Sequence, residues 1–179
     1  MEAIEVRGRY IKEIKNLYIS AFPKVERKPF WLMMLNQKRG KMKIFYLRDN
    51  NEFAGLAVIA EHIDRALLLY FAIAEDKRDR GYGSKALEML MKRYEKKRFY
   101  LEIESTKKEC GNKEIRLRRK RFYIKNGMVE TGLNVNLFGV EMEVLSNGAF
   151  LNYDEYIEPY EKNFGKWIRR KIVKINQET

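Results

Sequence analysis

The chain has 179 residues, 45% hydrophobic and 13% aromatic, enough for one domain with a sizeable core, and this excludes disorder along its whole length. A single cysteine, Cys110, and a single histidine, His62, exclude a disulfide framework and a metal site built on Cys or His ligands. The 37 basic and 25 acidic side chains give a net charge of +12, which favours polyanionic partners (nucleic acid, an acidic surface, a phosphorylated cofactor) without choosing among them.

No apolar run is long enough to span a bilayer, and the opening MEAIEVRGRY lacks the basic-then-apolar layout of a signal peptide. A soluble, reduced, cytoplasmic protein with no membrane partner and no metal is expected. No period of 20 to 50 residues repeats, and no linker divides the chain, so residues 1–179 are expected to form one domain.

Tyr10, Ile11, Ile14, Leu17, Tyr18 and Phe22 recur at helical spacing, and Phe22-Pro23 ends that helix because the residue before proline disfavours the helical region. Pro29 can open a second helix carrying Trp31, Leu32, Met34 and Leu35. Residues 43–48 and 53–61 read as strands around the hairpin chemistry of Asp49-Asn50-Asn51-Glu52. A third strand covers about 66–74, joined through His62-Ile63-Asp64-Arg65. It feeds a charged loop, Arg78-Asp79-Arg80-Gly81-Tyr82-Gly83-Ser84, and then a helix with the stripe Leu87, Leu90, Met91, Tyr94. A strand over 98–105, expected to lie parallel in the same sheet, is followed by a polar connection at 106–112 and a helix over 113–126 that Gly127 terminates. Strands near 128–136 and 138–145 form a second hairpin, turned at Phe138-Gly139 or just before. The tail, 150–179, suggests a short helix and a last basic strand within 166–175.

A strand that runs into a basic glycine loop and then a helix is suited to phosphate. The first helical N–H groups have no intrahelical acceptor, the helix dipole adds positive charge there, and glycine allows close approach and φ > 0. The order Arg78-x-x-Gly81-x-Gly83, together with Phe122-Tyr123-x-x-x-Gly127 closing a later helix, resembles the GCN5-related N-acetyltransferases (the GNAT superfamily). The resemblance covers about residues 5–145 and leaves 146–179 as an extension. It implies an α/β (α+β) fold, a mixed, mostly antiparallel twisted sheet flanked by helices, with a splayed parallel strand pair at the cofactor site.

That resemblance also implies function: an N-acetyltransferase moving an acetyl group from acetyl-CoA to a primary amine by direct attack in a ternary complex. Ile73 and residues Arg78, Asp79, Arg80, Gly81, Tyr82, Gly83 and Ser84 would bind the cofactor, and backbone N–H near Ile73 would polarise the thioester carbonyl. The family pattern has glycine where Asp79 stands, so Asp79 is expected to face solvent and lend only its amide. Tyr123 would protonate the departing thiolate, a task suited to a phenol of pKa about 10. Leu101-Glu102-Ile103 resembles a Leu-Glu-Val stretch of some members, where the glutamate takes the amine proton through water. Alternation puts Tyr100, Glu102 and Glu104 on one strand face, so either glutamate is a candidate base, with Glu75 a third.

Glu26, in the segment joining the first two helices, is a candidate partner for a cationic acceptor, which is a small-molecule or peptide amine. His62 and Cys110 read as bystanders. The run 113–121 carries six basic residues and raises a rival reading, a non-catalytic CoA-sensing or nucleic-acid-binding module on the same fold. Nucleic acid is not favoured, because the aromatics follow core periodicity instead of interleaving with the basic residues. A homodimer is among the assemblies the sequence allows.

Overall fold

In the computed structural model the described residues are 1–107 and 109–175. Lys108 in the predicted 106–112 connection and the last four residues of the predicted extension lie outside them. The chain divides into two compact units, one of Met1–Glu61 with Leu68–Arg93, the other of His62–Leu67 with the chain from Tyr94 onward.

The first unit opens on β1 (Glu2–Glu5), which sequence periodicity did not anticipate, followed by α1 (Ile11–Ala21) and α2 (Phe30–Lys38). Phe22 is extended at φ −123°, as its place before proline requires. Pro29 caps α2 rather than forming its first turn. Then come β2 (Met42–Asp49), β3 (Glu52–His62) and β4 (Arg65–Ile73). Asn50 and Asn51 both have positive φ (48° and 65°), the two-residue turn that matches strand twist and that asparagine tolerates. β1 pairs with β2 and β2 with β3, all antiparallel, and Gln37 of α2 ties them together by donating to the Val6 carbonyl and accepting from the Ile44 N–H. Every residue of β3 from Ala54 to Ala60 is buried, the signature of a strand covered on both faces. Gly55 is required by close approach: a Cβ there would lie 2.3 Å from the Ala72 carbonyl oxygen. After the loop, α3 (Tyr82–Arg93) buries Ala86, Leu87 and Leu90.

The second unit contains β5 (Arg98–Glu104), α4 (Lys113–Lys125), β6 (Val129–Leu137), β7 (Val140–Ser146), α5 (Tyr153–Phe164) and β8 (Ile172–Ile175). Its strands follow the order β5-β7-β6-β8, each pair antiparallel. The first residues of β4 belong here, and β4 and β5 form the parallel pair of an otherwise mostly antiparallel set of strands. Gly127 (φ 90°) ends α4, and Phe138-Gly139 turns the second hairpin at φ 52° and 92°. In the extension, residues 166–170 form a 3-10 turn, so the last strand is shorter than the 166–175 span anticipated. α5 has a capping box: the Asn152 side chain accepts from the Glu155 N–H while the Glu155 carboxylate accepts from the Asn152 N–H.

Candidate active site

The glycine loop lies wholly in the first unit. β4 ends at Ile73, a 3-10 turn (Glu75–Lys77) follows, and the chain reverses into α3 through Asp79 (φ 58°) and Gly81 (φ 78°). Both φ values are in the left-handed region, which explains why glycine suits position 79 and why aspartate is tolerated there. Arg78, Asp79, Arg80 and Gly81 are exposed, while Tyr82, Gly83 and Ser84 are half-buried at the helix start. Lys85 N–H donates to the Gly81 carbonyl, so the amides before it point out of the helix end. Among the described residues, its chain neighbours aside, no atom lies within 4 Å of where a Gly81 Cβ would sit. Outward amides, two exposed arginines and open space at Gly81 fit an anion such as a pyrophosphate.

Arg78 also acts on the strand. Its Nε donates to the Ile73 carbonyl oxygen at 3.1 Å, and the neighbouring Ala74 N–H is bonded to the Ala54 carbonyl. Glu75 is exposed in the turn just beyond.

The segment between α1 and α2 is fastened by tyrosines. Tyr70 of β4 donates to the Glu26 carbonyl (2.7 Å) and accepts from the Lys28 N–H, and Tyr18 donates to the Lys28 carbonyl. Tyr18, Phe22 and Tyr70 form an aromatic cluster with ring centroids 4.9–5.7 Å apart. Glu26 is exposed on this fastened loop.

The second unit holds the other candidates. Tyr123 projects from α4, is 8% exposed, and stacks edge-on against Phe122 at 5.1 Å. Burial pushes its phenol up to about 12, with Arg119 acting in the opposite sense. The hydroxyl has no hydrogen-bonding partner among the described residues. Glu104 is engaged by Arg116 Nη2 at 2.8 Å. Glu102 accepts from two tyrosine hydroxyls of α5: Tyr160, at 2.8 Å to Oε2 and 3.0 Å to Oε1, and Tyr156. Sequence reasoning put Glu102 and Glu104 on one face but did not find these tyrosines. The i, i+4 spacing of Tyr156 and Tyr160 was the available signal, and it named no partner.

His62 lies 3.6 Å from Glu158, and burial first, then Lys162, lowers its basicity. Among the described residues no cluster of His, Cys, Asp and Glu could hold a metal ion, and no helix is long and apolar enough to cross a membrane. The basic helix is partly committed: Lys113 pairs with Glu109, Arg116 with Glu104, and Lys120 with both Glu130 and Glu143. Arg118, Arg119 and Arg121 are exposed and unpaired among the described residues.

Residues 11–117, more than half of the chain, match the model of the acetyltransferase (GNAT) family. No curated protein matches the sequence significantly. Among solved structures, the chain is similar to a GNAT-family acetyltransferase from Bacteroides thetaiotaomicron (TM-score 0.72, 19% identity, 90% of this chain and 92% of that one). It is also similar to an aminoglycoside 6'-N-acetyltransferase complexed with coenzyme A (0.65, 13%, 85% and 100%). A third likeness is to the ribosomal-protein-S18-alanine N-acetyltransferase of Escherichia coli (0.63, 16%, 84% and 95%). At these identities the structures speak for the fold, and the family match carries the assignment: the chain belongs to the GNAT family of acetyltransferases.

Proposed function

We propose that the protein transfers the acetyl group of acetyl-CoA to a primary amine by direct attack in a ternary complex. The observation that carries this reading is the loop from Arg78 to Ser84, exposed as far as Gly81, with left-handed Asp79 and Gly81 delivering outward amides at the start of α3. The loop amides, with Arg78 and Arg80, hold the pyrophosphate, and the Asp79 carboxylate stays in solvent. Backbone N–H at Ile73 polarises the thioester carbonyl as charge develops on its oxygen.

The amine nitrogen attacks that carbonyl and forms the N–C bond; its proton passes to Glu102, and the C–S bond then breaks. Tyr123 gives its proton to the departing thiolate. Its hydroxyl, unpartnered among the described residues, supports this role, since no acceptor among them competes for that proton. Glu104 is less suited to act as base because Arg116 already holds it. Glu26, exposed on the fastened α1–α2 segment, supports recognition of a cationic acceptor, either a small-molecule amine or a peptide terminus.

Calorimetric titration of acetyl-CoA into the wild type and into Gly81→Glu tests the cradle. Saturable binding by the wild type and none by the mutant is expected, and no binding to the wild type would overturn the reading. Spermidine, kanamycin and a peptide beginning with alanine then serve as acceptors, with thiol release as the readout. Tyr123→Phe is expected to lose turnover while keeping acetyl-CoA affinity. Binding without turnover on any amine would instead mark a CoA sensor.

A further inference from the structure

The C-terminal helix reaches the carboxylate to which the proposed reaction assigns the amine proton. Tyr156 and Tyr160 stand one turn apart on α5 and are almost fully buried, and both hydroxyls converge on Glu102. Several contacts fix α5 where it must be for this. Tyr100, two residues before Glu102 on β5, donates its hydroxyl to the Tyr156 carbonyl at 2.8 Å. Arg98 Nη1 bonds Glu155 at 2.6 Å, and Arg65 pairs with Glu158. All these α5 residues lie beyond the stretch that matches the family.

A tyrosine O–H can donate to a carboxylate, and an ionised carboxylate is an acceptor only. Two phenols on one carboxylate therefore favour its anionic form and fix the direction of its lone pairs. Packing alone does not call for this arrangement, because apolar side chains of similar volume would fill the space without the desolvation cost of a half-buried charge. Tyr156 keeps its own proton: burial, and then the Glu102 charge, pushes its phenol well above the ordinary tyrosine value.

We propose that Tyr156 and Tyr160 are positioning residues for the acetyl transfer, holding the Glu102 carboxylate ionised and oriented to receive the proton that the attacking amine releases. This rests on the reading of Glu102 as the proton acceptor. The proton moves from the amine nitrogen to a Glu102 oxygen as the N–C bond forms and then leaves to solvent, while both tyrosine O–H bonds stay intact. Charged groups around this cluster include Arg65, Arg98, Glu155 and Glu158, with His62 beside Glu158, and all are left unchanged in every variant below.

The test is a double-mutant cycle in the full chain, Tyr160→Phe and Tyr156→Phe with and without Glu102→Gln, using whichever of spermidine, kanamycin or the alanine peptide turns over fastest. Tyr160→Phe should lower kcat about tenfold, leave KM for acetyl-CoA unchanged and move the acidic limb of the kcat profile to higher pH. In the Glu102→Gln background the same change should cost nothing further. An equal loss in both backgrounds, or a changed KM with an unmoved acidic limb, would mean a purely structural role. Wild-type kcat in Glu102→Gln, alongside loss in Tyr123→Phe, would overturn this inference and leave the acetyltransferase reading standing. A measurement without an acceptor guards the outcome: in protein carrying carboxyl-labelled glutamate, the carbon resonance missing from Glu102→Gln should titrate at higher pH in Tyr160→Phe. An unmoved midpoint would overturn the inference whatever the acceptor.

Discussion

Arg78 reaches back across the turn it begins and donates from Nε to the carbonyl oxygen of Ile73, 3.1 Å away. One side chain thus links the end of β4 to the loop that opens α3. Loop and strand end carry different tasks in the proposed reaction, phosphate binding and carbonyl polarisation, and Arg78 couples their positions.

Arg78→Ala should therefore weaken acetyl-CoA binding by more than one lost surface charge would. The side chain is exposed, so each of its interactions is modest, about 1 kcal/mol for the hydrogen bond, and roughly five- to tenfold in Kd is expected. Tm should barely move. Calorimetry at two salt concentrations checks this, because the Coulombic part of the loss should shrink at the higher one.

Gly55→Ala should be costly although the position is in a plain strand with no unusual φ. The added Cβ would meet the Ala72 carbonyl oxygen at 2.3 Å, and backbone on neighbouring strands cannot yield as a flexible side chain would. A loss of about 3 kcal/mol is expected, seen in the urea midpoint. Gly81→Ala meets no atom of the described residues beyond its chain neighbours and should cost only about 1 kcal/mol of backbone strain.

Glu143 gives the fold a pH dependence. Burial alone would raise its carboxyl, but Lys120, at 2.6 Å, and the N–H and hydroxyl of Thr106 outweigh burial and hold it below the ordinary glutamate range. A carboxyl depressed in the folded state binds fewer protons there than in the unfolded chain. Its stabilisation is thus fully present above the unfolded value of about 4.3 and is lost as pH falls through the lower folded value. Lys120→Met should destabilise by about 2–3 kcal/mol at neutral pH, because it strands a buried charge. It should also flatten the acid side of the stability profile, as read by denaturant titrations between about pH 3 and pH 7.

Tyr123, pushed up to about 12, has a consequence for rate. An acid must be protonated to act, and this one remains so throughout the ordinary working range. No alkaline limb of kcat below about pH 11 should belong to it. Direct titration of the Tyr123 phenol checks this, by the ultraviolet difference between wild type and Tyr123→Phe as pH rises: ionisation of that phenol near pH 9 would contradict the raised value.

Local chemistry made much of the chain legible from sequence. Asn50-Asn51 and Phe138-Gly139 announced their hairpins because positive φ admits few residues. Phe22-Pro23 and Gly127 bounded their helices for equally local reasons, and Arg78 to Ser84 read as a loop into a helix because such a cradle is made of backbone. β1 went unseen because four residues hold too little pattern; its pairing with β2 across some forty residues of chain defines it.

What the sequence determined by itself was most of the strands and helices, the glycine loop between β4 and α3 and the shared face of Tyr100, Glu102 and Glu104, all of which follow from φ preferences and side-chain alternation over a few residues. What covers that face was decided only in three dimensions. Tyr156 and Tyr160 lie more than fifty residues from Glu102, and neither spacing nor composition encodes which helix a strand face will meet. That choice comes from packing and ion pairs, Arg65 with Glu158 and Arg98 with Glu155, which exist only once the chain has folded back on itself.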